Sequence, residues 1–208
     1  MLAPDDAFPK ITVILRGSSL DEARLIAQQM RGLKIHSMEV SLVTDGALET
    51  ISKLHHEFED EILVGAGTVL TAEQAKRSVD AGASFLLSPI CFTQDIFDVA
   101  RDADVITVPS GLTPTEIHTM LLMGADIVKV FPAARLTPAY LHDLRAPLGD
   151  MPLMVVGGVN ADNVQEYFSA GAKFAGIGSG CFEEGVLERM DAKGVRTSLV
   201  RLQNSVDW

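Results

Sequence analysis

Cysteine, aromatic side chains and positive charge are all scarce in this chain of 208 residues, and each shortage removes a class of explanation. Two cysteines, Cys91 and Cys181, supply neither a metal-ligand spacing nor a disulfide framework, and their rarity fits a reducing cytoplasm. Seventeen Lys+Arg face 28 Asp+Glu, for a formal net charge of −11. Such a field repels phosphate backbones and anionic bilayers, so neither nucleic acid nor a membrane is an expected partner. No apolar run reaches the roughly 20 residues that cross a bilayer. The N-terminal stretch MLAPDDAFPK has neither the basic region nor the apolar core of a secretory signal. His36, His118 and His142 share no ligand spacing, and the acidic surplus sits mainly on helices, so no metal site is expected. Linker-like and low-complexity tracts are missing too, which leaves one soluble domain over residues 1–208.

What the chain does have is a rhythm. Eight short apolar runs, rich in Val, Ile and Leu, recur every 20 to 27 residues or so. They are Ile11–Leu15, Ile35–Leu42, Ile62–Gly65, Phe85–Leu87, Val105–Val108, Ile127–Phe131, Leu153–Val156 and Phe174–Ile177. Each is too short for a helix and reads as a strand buried on both faces. Amphipathic stretches lie between them. Ser19, Thr71, Thr113 and Asn160 are placed to cap helix starts, and Ala81-Gly82, Met123-Gly124 and Ala170-Gly171 to end helices. Eight β-then-α units in about 200 residues predict a (β/α)8 TIM barrel. An open doubly wound sheet is the alternative, but Arg16-Gly17-Ser18 is not the glycine fingerprint that fold wants after its first strand.

A barrel of this kind carries its active site at the C-terminal ends of the strands, so polar residues there matter most. Lys129 stands in the apolar run Asp126-Ile-Val-Lys-Val-Phe-Pro, sharing a strand face with Ile127 and Phe131. If that face points inward, desolvation disfavours the ammonium and frees an amine to attack a carbonyl. The plainer alternative is a strand-end lysine reaching solvent or an acid. Glu39, in His36-Ser-Met-Glu-Val-Ser-Leu, shares its face with Ser37, Ser41 and Val43. An acid and an amine in one barrel mouth make a nucleophile and a proton shuttle; the alternative is a buried ion pair that only holds the barrel together. Gly157 and Gly158, after the seventh run, and Gly178-Ser179-Gly180, after the eighth, let backbone N–H groups approach an anion, and a phosphate is the expected occupant. Gly65-Ala-Gly-Thr reads as a flexible turn bringing Thr68 to the third strand end, and Arg16 could grip a carboxylate.

Taken in order, Ile14-Leu-Arg-Gly, Met38-Glu-Val, Gly65-Ala-Gly-Thr-Val-Leu, Ser88-Pro89, Val128-Lys-Val-Phe-Pro-Ala, Val156-Gly-Gly-Val and Gly178-Ser resemble the class I 2-keto-3-deoxy-6-phosphogluconate (KDPG) / 4-hydroxy-2-oxoglutarate (KHG) aldolases. The likeness runs from about Ile11 to Phe182. It implies a homotrimer of barrels that needs no metal or cofactor and acts on a phosphorylated keto acid and pyruvate. It also implies roles: Lys129 forms the Schiff base with pyruvate and Glu39 is the general acid and base. Arg16 and Thr68 hold the carboxylate side, and Gly158, Gly178 and Ser179 take the phosphate. Pro89, Phe131 and Gly157 complete the expected substrate-binding set. Two positions depart from the KDPG pattern. Val43 stands where Glu-x-x-x-Arg-Thr would place arginine, and Val156 precedes the glycine pair where threonine is common. Val156 is more similar to the 2-keto-3-deoxy-6-phosphogalactonate (KDPGal) branch, which in turn tends to carry a small polar residue at the place of Val43. The expected reaction is cleavage of KDPGal or KDPG to pyruvate and glyceraldehyde 3-phosphate. The alternatives are an unphosphorylated keto acid such as 4-hydroxy-2-oxoglutarate, or a phosphosugar-binding barrel without catalysis.

Overall fold

The computed structural model describes residues 8–59 and 61–208. Eight parallel strands form one sheet: β1 (Ile11–Leu15), β2 (Ser37–Ser41), β3 (Leu63–Gly67), β4 (Phe85–Leu87), β5 (Ile106–Val108), β6 (Val128–Val130), β7 (Leu153–Val156) and β8 (Phe174–Ile177). Helices alternate with them: α1 (Leu20–Met30), α2 (Ala47–Phe58), α3 (Ala72–Asp80), α4 (Gln94–Asp102), α5 (Pro114–Leu122), α6 (Thr137–Leu148), α7 (Val164–Ser169) and α8 (Ala192–Asn204). The strand order β5-β4-β3-β2-β1-β8-β7-β6 returns β6 beside β5, and this is the expected (β/α)8 barrel.

The seam between β5 and β6 is stitched mainly beyond the strand ends. Lys129 N–H donates to Pro109 O at 2.8 Å, and Lys129 O accepts from Gly111 N–H at 2.9 Å and from Ser110 Oγ at 2.9 Å. Lower down, Asp126 Oδ2 accepts from both the amide and the hydroxyl of Thr107. Closure therefore grips the backbone of Lys129 on both of its polar groups.

Side chains divide by the strand period of two. Val128 and Val130 point outward to the helices, among Met38, Val40, Ile26, Ile51 and Leu199. Ile127 and Phe131 point inward, with Phe85, Leu87, Val108, Met154, Val156 and Phe174. Phe8 sets its ring edge-on to Phe85 and Phe174, at 5.1 and 5.5 Å, and plugs the end of the barrel where β4 and β8 begin. Among the described residues, the opposite end is the one that opens into a cavity.

Three of the four expected helix caps form. Ser19 and Thr113 make full capping boxes with Glu22 and Glu116, and Thr71 accepts from Gln74 N–H. Asn160 does not cap α7, which starts at Val164; its side chain accepts instead from Asp162 N–H in a local turn. A second correction concerns Gly65-Ala-Gly-Thr. Rather than a flexible turn, Gly65 and Gly67 are the inward-facing end of β3, paired with β2 through Glu39↔Gly65 and Ser41↔Gly67. A methyl group on Gly65 would lie 2.4 Å from the ring of Phe85, so the glycine is there to admit the aromatic core.

Candidate active site

A cavity of about 650 Å3 opens at the C-terminal ends of the strands. Arg16, Glu39, Thr68, Lys129, Phe131, Gly157, Gly158, Gly178 and Ser179 all line it, so nine of the ten expected residues meet in one place. Pro89 does not line it. Of the two departures from the KDPG pattern, Val156 lines the cavity, whereas Val43 is 64% exposed on the loop after β2.

Lys129 rises from the gripped seam backbone with its ammonium 4.8 Å from the centre of the Phe131 ring, and only 4% of the residue meets solvent. Burial drives its pKa down to about 8, against the carboxylate of Glu39, which pulls it up; Arg16 adds to the fall. Glu39 is 2% exposed and shifted the other way, up to about 7, because burial outweighs the nearby charges of Lys129 and Arg16. Each group is thus moved toward its neutral form by desolvation. Among the described residues no hydrogen bond or ion pair joins the two directly. A carboxyl and an amine held in one mouth without touching leave room for a reacting carbon or a water between them.

Thr68 has φ +60°, a left-handed conformation unusual for a β-branched residue, and its Oγ1 lies 2.7 Å from Ser41 Oγ. Local strain of this kind persists where its surroundings hold it, and here it accompanies a threonine on the cavity lining. Ser41 was legible only as an inward-facing residue of the second run, and the structure gives it this partner. On the other side, Gly157 and Gly158 have φ +93° and +76°, which bends the chain sharply after β7. Ser179 and Gly180 make no hydrogen bond with a described residue, so their N–H groups are available to an anion.

Sequence reasoning missed the far wall. Glu183, Glu184 and Glu188, on the segment that follows β8, also line the cavity. They belong to no periodic element, and their one legible signal was a position just beyond the Gly178-Ser179 strand end. Cys181 is buried and its thiol is pushed up to about 12 by that burial, which makes it a packing residue. Among the described residues, no group of three or more His, Cys, Asp or Glu side chains is arranged to hold a metal, and no helix is long and apolar enough to cross a membrane.

A sequence model of the family described as KDPG and KHG aldolase matches residues 8–197. The chain belongs to that family. It is therefore an aldolase, a lyase that cleaves a carbon–carbon bond. Among relatives of this aldolase, the probable 2-dehydro-3-deoxy-6-phosphogalactonate aldolase of Rhizobium meliloti (strain 1021) is 30% identical over 177 residues, 85% of this chain and 83% of that one. A solved structure described as native KDPGal superposes with a TM-score of 0.83 at 28% identity, over 96% of both chains. The KDPG aldolase from Legionella pneumophila, with pyruvate captured at low pH as a covalent carbinolamine intermediate, gives 0.84 at 26% identity, over 94% of this chain and 96% of that one.

Proposed function

We propose that this aldolase cleaves a 2-keto-3-deoxy-6-phospho sugar acid, KDPGal or KDPG, to pyruvate and glyceraldehyde 3-phosphate through a Schiff base on Lys129. The carrying observation is the Lys129 amine, desolvated in the cavity and facing a desolvated Glu39 that it does not touch. Lys129 Nζ attacks the C2 carbonyl to give a carbinolamine. Glu39 donates a proton to the departing hydroxyl, and loss of water leaves a protonated imine. Removal of the C4 hydroxyl proton, by Glu39 or through a water, breaks the C3–C4 bond. Its electron pair moves into the imine as an enamine, and the aldehyde leaves. Protonation at C3 and hydrolysis then release pyruvate and restore the amine. Arg16 and Thr68 are suited to the substrate carboxylate, and Gly158, Gly178 and Ser179 to the phosphate. The imine is itself the electron sink, so the scheme calls for no cofactor.

One observation favours the unphosphorylated alternative. Glu183, Glu184 and Glu188 line the same cavity as the glycine-rich strand ends, and their negative charge opposes a dianion. Comparing kcat/KM for a 2-keto-3-deoxy-6-phospho sugar acid and for the same acid without phosphate separates the two. We expect the phosphorylated substrate to be favoured by at least about tenfold, the worth of one charge-assisted contact. A ratio at or below one moves the assignment to an unphosphorylated keto acid.

We also infer a cytoplasmic homotrimer. Exposed Val43, Leu70, Ile90 and Leu112 follow the ends of four neighbouring strands, β2 to β5, on the rim of the barrel. Apolar side chains gathered this way suit burial against a second copy. The two free thiols suit a reducing compartment. Sedimentation is expected to give three times the 22.4 kDa chain mass, and sedimentation at the chain mass itself removes the trimer.

A further inference from the structure

β3 gives up its side chain at both inward positions nearest the mouth, Gly65 and Gly67. At Gly65 the vacated space is filled by the Phe85 ring. Gly67 is different. The Cα partner of Glu39 is Gly65, but the Glu39 side chain leans toward the mouth and lies over Gly67. A methyl group built on Gly67 would sit 1.1 Å from Glu39 Oε1, 2.0 Å from Cδ and 2.7 Å from Cγ, and these are its three nearest atoms. The φ of Gly67 is not left-handed, so nothing in its backbone demands glycine. What demands it is the carboxylate.

We propose that Gly67 is a positioning residue for the reaction: the side chain it lacks is the seat of the Glu39 carboxylate. This rests on the reading of Glu39 as the acid–base group. An ordinary contact distance of about 3.5 Å would require an alanine at this position to move the carboxylate by roughly 2 Å. The move is open to a flexible side chain bordering a cavity, so the barrel should still fold. The cost falls on geometry. The carboxylate is driven off the place from which it serves the carbon on Lys129, and a displacement of about 1 Å can already cost a hundredfold in rate.

The test is a mutant cycle on the whole enzyme, following kcat, KM, the pH profile and the melting temperature. Gly67→Ala is expected to lower kcat by about 10- to 100-fold with KM little changed, to shift the pH profile, and to melt near wild type. Gly65→Ala provides the contrast. Its obstacle is an enclosed aromatic ring, so it should lower the melting temperature instead. In the Glu39→Gln background, Gly67→Ala should cost nothing more. With the shorter Glu39→Asp, the added methyl should be tolerated, and the double variant should match Glu39→Asp alone. A Gly67→Ala enzyme with wild-type kcat and pH profile overturns the proposal. So does an equal loss in the Glu39→Gln background, which would show the glycine acting through the backbone. If Glu39→Gln itself retains full kcat, the acid–base reading has failed first, and the two failures are told apart.

Discussion

Lys129→Met should lose the covalent adduct altogether. When the wild-type protein is incubated with pyruvate and sodium borohydride, its intact mass should rise by one reduced pyruvate, and the Lys129→Met protein should stay unmodified. Turnover should fall by a factor on the order of 10^4 to 10^6, the scale seen when a covalent nucleophile is deleted. The reason lies in where the amine stands. An exposed lysine has its pKa near 10.5 and is almost wholly protonated at neutral pH, whereas burial at the barrel mouth brings Lys129 down to about 8. Methionine keeps the length and the apolar stem, and the carbonyl of residue 129 still accepts from Gly111 and Ser110. The seam should therefore close and the circular dichroism spectrum match wild type. Adduct formation in the wild type should rise as pH climbs through about 8, because only the free amine attacks. An adduct on the Lys129→Met protein, or none on wild type at saturating pyruvate, removes the Schiff base from this residue.

Glu39→Gln should separate proton transfer from electrostatics. In the proposed role of general acid and base, Glu39 should be worth about 10^2- to 10^4-fold in kcat, and an amide cannot replace it there. Its charge does something else, since the carboxylate raises the pKa of Lys129. With that charge removed, the Lys129 pKa falls, and the pH midpoint of borohydride trapping should move down, not up. The variant is thus expected to turn over poorly yet present its free amine at lower pH than wild type. Arg16 acts in the opposite sense to Glu39 on the same lysine, so once the carboxylate is lost burial and Arg16 both act downward with nothing to oppose them. A midpoint that rises, or a kcat that holds, is incompatible with the role given to Glu39. The two groups titrate together, so the profile belongs to the pair and must be read in both proteins.

Much of this site was legible in one dimension. The parity of Ile127, Lys129 and Phe131 against Val128 and Val130 placed the lysine on one face with two apolar neighbours, because a strand sends alternate side chains to opposite sides, and the structure turns that face inward. The same parity put Ser37, Glu39 and Ser41 on one face; the structure buries all three, and Ser37 meets Thr12 at 3.0 Å. Strand ends and helix caps were legible because their signals are local: a hydroxyl three residues before a glutamate, or a glycine after the last apolar turn. Asn160 shows where such a signal fails, because its side chain had a nearer amide to satisfy at Asp162.

The barrel, the strand faces that Lys129 and Glu39 share with their neighbours, and the family to which the chain belongs were all legible along the chain, since periodicity and motif order are properties of neighbours in sequence; which face turns inward was settled by closure. Three further things were decided only by the tertiary structure. The neutral-leaning state of the amine and the carboxyl depends on desolvation, which exists only once eight strands have closed around them. The three glutamates of the far wall reach the cavity through a segment with no period to read. Gly65 and Gly67, alike in sequence, serve different ends: one makes room for Phe85 from β4 and the other for Glu39 from β2. The space a missing side chain leaves is assigned by residues distant in sequence, and packing alone brings them there.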